Sequence, residues 1–252
     1  MLLRLENLHY TRGFNFELRL NVNLKTGSRV LLRGSNGSGK TSLLNLLAGI
    51  YQPNRGKLVH ALLPGSTAML GHEPFLYPEL TVRENLLFWV RMEAALLKNN
   101  INNLKELTNE ALTRLKLMPM ADERADSLSR GMLQRLALGR IFLSRASLIL
   151  LDEPENGLDE EFFNLLMREI LLKSGATIVW ASHTLPPNYI FEGQQMFSHC
   201  LCLNPFCNYP GVFEGDMQEL DLLHLQTSNE TVAHSISPNS KAGSHFPVLG
   251  DM

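Results

Sequence analysis

Residues 34–42 read GSNGSGKTS, preceded by RVLLRG at 29–34 and followed by the apolar run TSLLNLLAGI at 41–50. The pattern is G-x-x-x-x-G-K-[ST] between a short buried-type strand and an amphipathic helix, which is the setting such a loop needs to grip a phosphate chain. Gly34, Gly37 and Gly39 let the backbone curl so that the N–H groups of the loop, including those of Ser35, Asn36 and Ser38, converge on anionic oxygens. The following helix adds the positive end of its dipole. Lys40 can reach the β- and γ-phosphates, Thr41 can ligate Mg²⁺, and Ser42 can hydrogen-bond the α-phosphate.

Outward from this loop the chain alternates between two periodicities. LLRLENLHYTRG (2–13) and FNFELRLNVNL (14–24) alternate apolar and polar residues, as half-buried strands do. From about residue 81 the spacing becomes helical, in TVRENLLFWVRMEAALL and LKELTNEALTRLKL, until Pro119 and Asp122 interrupt it. SLILLDEP returns to a buried strand, LDEEFFNLLMREILLKSG is an amphipathic helix closed by Gly175, and ATIVWASH is a further buried strand. HCLCL and GVFEG suit a terminal hairpin, with a short helix expected around DMQELDLLHL. Strands alternating with helices predict an α/β protein with a mostly parallel sheet, and a helical lobe set between its early and middle strands.

Three further residues fall where this architecture would use them. Asp152 and Glu153 end the apolar run SLILL. A carboxylate at a strand tip beside a phosphate loop can hold Mg²⁺, and a second one directly after it can polarise the attacking water. His183 ends the next buried strand, and ligands of open α/β sheets collect at the carboxyl ends of strands. There its ring can hydrogen-bond a γ-phosphate.

Composition excludes several other classes. Lys+Arg 23 against Asp+Glu 25 gives a net charge of −2, so no charge-driven nucleic-acid partner is expected. No apolar run approaches the roughly 20 residues that a membrane-spanning helix requires. The N-terminal MLLRLENLHYTRG lacks the apolar core of a signal peptide. Cys200, Cys202 and Cys207 crowd into HCLCLNPFC, but without a second knuckle they read as small strand and loop residues rather than a metal site. The last segment, 226–252, is rich in Ser, Asn and Pro and has the composition of a disordered tail.

Taken in order, these motifs resemble the ATP-binding subunits of ABC transporters. GSNGSGKTS matches that family's phosphate loop, middle glycine included. LSRGMLQR (128–135) falls where its signature motif, usually LSGGQ, belongs, with Ser129 23 residues before Asp152. ENGLD with Asp159 matches the D-loop, His183 the switch histidine, and Tyr10, 24 residues before Gly34, the aromatic that stacks on adenine. The resemblance implies a P-loop NTPase with a RecA-like core sheet and an antiparallel β subdomain. It also implies a helical subdomain inserted at about 82–146, within an ATP-binding domain spanning 1–225. It implies ATP and Mg²⁺ (through Thr41 and Asp152) as ligands, and Lys40, Glu153 and His183 as the catalytic set. Two copies would sandwich the nucleotide, with Ser129, Arg130, Gly131 and Met132 acting in trans. The partners implied are a second ATPase subunit, giving a homodimer, and a polytopic membrane subunit, with the chain peripheral on the cytoplasmic face.

Two positions depart from the family pattern. His72, with Glu73 beside it, replaces the usual Q-loop glutamine, and the signature carries Arg130 and Met132 where a small residue and a glutamine are common. A side chain at 130 is compatible with function if it projects away from the nucleotide and its φ is negative. Loss of the glutamine at 132 implies a weaker contact to the sugar. The Gly-His pair and LGHEP…ELTVRENLLFW resemble the ATPase subunits of the haem-exporter-like systems of cytochrome c maturation. Other readings are an ABC-2-type exporter ATPase for a different substrate, or a non-transport ABC ATPase switch.

Overall fold

A computed structural model describes residues 3–12, 16–60, 65–71, 75–96, 103–173, 175–185, 189–203 and 212–213. All belong to one compact unit, Met1–Met217, while the second unit, Gln218–Met252, lies wholly outside the described residues. His72, Glu73, Cys207, the expected helix near residue 220 and the tail 226–252 therefore also lie outside them.

The strands form two main sheets. β1 (Leu3–Arg12), β2 (Phe16–Leu24) and β4 (Arg55–His60) make an antiparallel sheet in the order β2-β1-β4. β3 (Arg29–Gly34), β5 (Thr67–Leu70), β6 (Leu148–Asp152), β7 (Thr177–Ala181), β10 (His199–Leu203) and β11 (Val212–Phe213) make the second, in the order β11-β10-β3-β7-β6-β5. Every pairing in it is parallel except the terminal hairpin β10–β11, which pairs Cys200 with Phe213 and Leu201 with Val212. A short hairpin joins β8 (Ile190–Phe191) to β9 (Gln194–Gln195).

β6 and β7 are buried at every residue, so their sequences are apolar runs without alternation. The core between the sheets is filled by Leu5, Leu18, Leu20 and Val22 from the antiparallel sheet and Val30, Leu32, Leu150 and Val179 from the parallel one. Leu43, Leu44, Leu46 and Leu47 of α1 (Lys40–Leu47) pack with them.

The helical lobe comprises α2 (Val82–Leu96), α3 (Leu104–Arg114) and α4 (Arg130–Leu143), between β5 and β6 in the chain. α2 starts at a reciprocal cap. The Glu84 N–H donates to Thr81 Oγ1 at 3.1 Å, and the Glu84 carboxylate accepts from the Thr81 N–H at 2.8 Å. α4 approaches α2 closely at Gly139, where a Cβ would stand 2.5 Å from Leu86 Cδ2 and 3.0 Å from Leu115 Cδ1. α5 (Glu160–Leu172) sets Phe163 edge-on to Trp180 of β7, and it is ion-paired to the end of α3 through Arg114 with Glu169 and, just beyond that helix, through Lys116 with Glu161. Among the described residues no helix is long and apolar enough to cross a membrane.

Candidate functional site

The loop between β3 and α1 takes the curled form its glycines allow. Gly37 (φ 80°) and Gly39 (φ 99°) occupy the left-handed region, and the Ser38 N–H donates to Ser35 O at 3.1 Å. At Gly34 the constraint is space, since a Cβ would lie 2.3 Å from Ser38 Oγ and 2.5 Å from the backbone oxygen of Leu203 on β10. Ser38 Oγ is buried and has no hydrogen-bond partner among the described residues.

Lys40, 6% exposed, folds back over its own loop, its ammonium donating to Gly34 O at 2.9 Å and Ser35 O at 3.3 Å. The same ammonium stands 3.5 Å from Glu153 Oε1. Thr41 Oγ1 donates to Asp152 Oδ2 at 2.6 Å, across 111 residues of chain. The loop and the tip of β6 are thus in direct contact. A hydroxyl and a carboxylate form the hard oxygen donor set that suits Mg²⁺.

The chain turns sharply off β6 at Glu153, whose φ of 49° is one of four positive values at non-glycine positions among the described residues. A β-branched-free but bulky residue in this region is strained, and such strain persists only where surrounding bonds fix it. Here the Glu153 N–H donates to Ala181 O at 2.9 Å. Its carboxylate meets His183 Nδ1 at 3.0 Å through Oε1 and accepts from Asn156 Nδ2 at 2.8 Å through Oε2. Partial burial alone pushes this carboxyl up, but the hydrogen bond and charge of His183, the charge of Lys40 and the Asn156 bond together pull it below the usual carboxylate range. Glu153 is therefore an ionised acceptor within reach of the phosphate loop.

The turn has a second carboxylate that the sequence reading overlooked. Glu155 accepts from Trp180 Nε1 at 2.9 Å and from Thr184 Oγ1 at 3.2 Å, and Ser182 Oγ donates to it as well. It opens the ENGLD stretch, but nothing there gives it a role, because its partners lie 25–29 residues onward.

The signature segment opens α4. Ser129 is the N-cap, its hydroxyl oxygen accepting from the Met132 N–H at 3.4 Å, which leaves the hydroxyl proton available for an outward acceptor. Arg130 is the first helical residue, is exposed and lies outside the positive-φ set, so the substitution introduces no backbone strain. Arg130, Leu133 and Gln134 share a pocket with Gly71, Asp152, Glu153, Asn156 and Gly157. Gly131 faces the carbonyl of Gly157 at 4.0 Å from where a Cβ would be, and Met132 is half-buried. Arg135 sits over the Phe162 ring, its Cζ 3.8 Å from the centroid, and pairs with Asp159 at 2.5 Å. Asp159 in turn caps α5, accepting from the Phe162 N–H at 2.9 Å.

Tyr10, half-buried on β1, stacks on Tyr51 with ring centroids 5.6 Å apart and planes 11° from parallel. Tyr51 lies four residues past the end of α1, and its N–H donates to Asn45 O at 3.2 Å, which joins Tyr10 to the helix that leaves the phosphate loop. Cys200 and Cys202 sit on β10, the first buried and the second half-buried, with sulfurs 3.7 Å apart.

The sequence model of the ABC transporter family matches residues 18–156. A cytochrome c biogenesis ATP-binding export protein, CcmA, of Bordetella bronchiseptica is 41% identical over 175 residues, which are 65% of this chain and 75% of that protein. The CcmA of Rickettsia felis is 35% identical over 182 residues (68% and 89%), and that of Histophilus somni 33% over 203 residues (74% and 88%). Among solved structures, the ATP-binding cassette MJ0796, in a dimeric post-hydrolysis state bound to ADP and Pi, superposes with a TM-score of 0.68. It covers 84% of this chain and 98% of its own at 20% identity, a likeness of fold. The core parallel sheet, the antiparallel sheet and the helical lobe between β5 and β6 are those of a P-loop NTPase. The chain belongs to the ABC transporter family, as its ATP-binding and ATP-hydrolysing component.

Proposed function

We propose that this chain powers an ABC exporter of cytochrome c biogenesis, with haem export as its task. It would work as a homodimer docked on the cytoplasmic side of a polytopic membrane subunit. Support for the biological assignment comes from the relatives at 33–41% identity, each named as a cytochrome c biogenesis export protein. The observation that carries the chemistry is the convergence of Lys40 and His183 on Glu153 beside the Thr41–Asp152 contact.

In this reading the N–H groups of residues 34–42 and the Lys40 ammonium receive the phosphate chain, and Tyr10 stacks on the adenine. Thr41 and Asp152 would hold Mg²⁺, which would supply neutralisation of phosphate charge. Glu153, kept ionised, orients the attacking water and accepts its proton, while His183 hydrogen-bonds the γ-phosphate and holds Glu153 in place. Ser129, Arg130, Gly131 and Met132 belong to the trans half of the site, where the capped N-terminus of α4 presents its N–H groups and the Ser129 hydroxyl to the partner's nucleotide. Asp159 and His72 would carry the state of the site to the dimer interface and the membrane subunit. The ATP-binding domain would span 1–225, with 82–146 as its helical lobe and 226–252 as a tail.

The test of the chemistry is Glu153→Gln. It should keep ATP binding, lose turnover by at least about a hundredfold and accumulate an ATP-bound dimer, read by size-exclusion chromatography. Wild-type hydrolysis in that variant would remove Glu153 from its role. The biological assignment is tested in cells lacking the gene. The wild-type chain should restore covalently haem-stained c-type cytochromes and Lys40→Ala should not.

A further inference from the structure

We propose that Glu155 is a positioning residue for hydrolysis, holding the strand-tip loop that carries His183 so that its ring meets Glu153. The inference rests on the reading of Glu153 and His183 as the hydrolytic pair.

His183 is not locked in place by burial. Its side chain is 42% exposed, and its bond to Glu153 Oε1 is a single contact at 3.0 Å. Its place therefore depends on the residues on either side, and both are held by Glu155. Ser182, fully buried, donates its hydroxyl to Glu155, and Thr184 Oγ1 donates to the same carboxylate at 3.2 Å. The Ser182 oxygen also accepts from the N–H groups of Thr184 and Leu185, each at 3.1 Å, which closes a tight turn around His183. With two backbone donors on its oxygen, the Ser182 hydroxyl has one proton to place, and Glu155 receives it.

The third donor shows why a carboxylate stands here. Trp180 is fully buried on β7, and its indole N–H reaches Glu155 Oε2 at 2.9 Å. Three donors face one side chain, which an ionised Glu can satisfy with two oxygens. A Gln would turn its own N–H₂ toward one of them, and an Ala would leave a buried indole N–H and a buried hydroxyl unpaired.

Geometry then connects this anchor to the chemistry. Glu153 and Glu155 flank the buried Pro154, so one rigid turn presents one carboxylate to the ring of His183 and the other to both of its neighbours. The Glu153 N–H to Ala181 O bond ties the same two loops at the backbone. None of these bonds from Glu155 reaches the phosphate loop, and two of the three hold the immediate neighbours of the histidine.

The experiment is a double-mutant cycle on ATP hydrolysis by the full chain, with Glu155→Ala, His183→Ala and the pair together. We expect Glu155→Ala to lower kcat by about tenfold with the KM for ATP unchanged, since a displacement near 1 Å at a reacting group costs rate rather than binding. In the His183→Ala background the same substitution should cost nothing further. Glu155→Gln should fall between Glu155→Ala and wild type, and it replaces Glu155→Ala in the cycle if that variant does not fold. Losses that multiply would overturn the inference while leaving the hydrolytic reading in place, as would a Glu155→Ala kcat equal to wild type. A His183→Ala protein with wild-type kcat would overturn both.

Discussion

Asp159 serves two elements with one carboxylate. Oδ1 caps α5 at the Phe162 N–H, and Oδ2 pairs with Arg135 of the signature helix. The bond from the Phe162 N–H, then, against a smaller cost of burial, the bond and charge of Arg135, hold this carboxyl below its ordinary range. A carboxyl depressed in the folded state stabilises fully above its unfolded value and loses that contribution as pH falls through the folded one. Asp159→Ala should therefore cost about 1 kcal/mol near neutral pH, the usual worth of an N-cap. The melting temperatures of wild type and variant should converge as pH is lowered below about 4, where the unfolded carboxyl protonates. A gap that stays constant into acid would assign the loss to something other than the charge. Asp159 could be picked out of the sequence because ENGLD is a local pattern at a fixed distance from Asp152. Glu155, four residues earlier, could not, since its meaning lies in Trp180, Ser182 and Thr184, which only the pairing of β6 with β7 brings alongside.

The same rule separates the elements that were readable from those that were not. β6 and β7 announce themselves because a strand covered on both faces must be apolar throughout, and α5 because its buried Phe162, Leu166, Met167 and Ile170 recur at helical spacing. β4 (RGKLVH) and β5 (TAML) carry no such signature. One is an edge strand with two cations in six residues and the other has only four residues, so each exists through its partner, β1 and β6 respectively. The helical lobe was legible as helices but not as a packing. A close approach falls at Gly139, where α4 comes against Leu86 of α2 and Leu115 after α3, both fully buried. Gly139→Val should destabilise by about 1–3 kcal/mol through overpacking, despite the better helix propensity of valine over glycine. The urea midpoint should fall with an unchanged slope, because the damage is to packing and not to the extent of folded surface. A variant as stable as wild type would mean that α2 and α4 can move apart freely.

At the scale of the whole molecule the question is how one chain completes its site. The Ser129 hydroxyl is exposed at the head of α4, and its oxygen accepts from the Met132 N–H, which leaves its O–H free to donate outward. The phosphate loop, with Lys40 turned onto Gly34 and Ser35, has its own donors gathered within the chain. A two-fold dimer would bring the α4 head of each copy to the loop of the other, and such an isologous arrangement makes a sharp prediction for mixtures. A Lys40→Ala chain lacks a working loop but keeps a working signature, while a Ser129→Arg chain is the reverse. Each alone should be inactive. Combined in equal amounts, half of the dimers would be mixed, and each mixed dimer would hold one intact composite site beside one doubly damaged site. ATPase activity should then recover to about a quarter of wild type if the sites act independently. If Ser129 served the loop of its own chain, no combination of these two could rebuild a site, and the mixture would stay as inactive as its components.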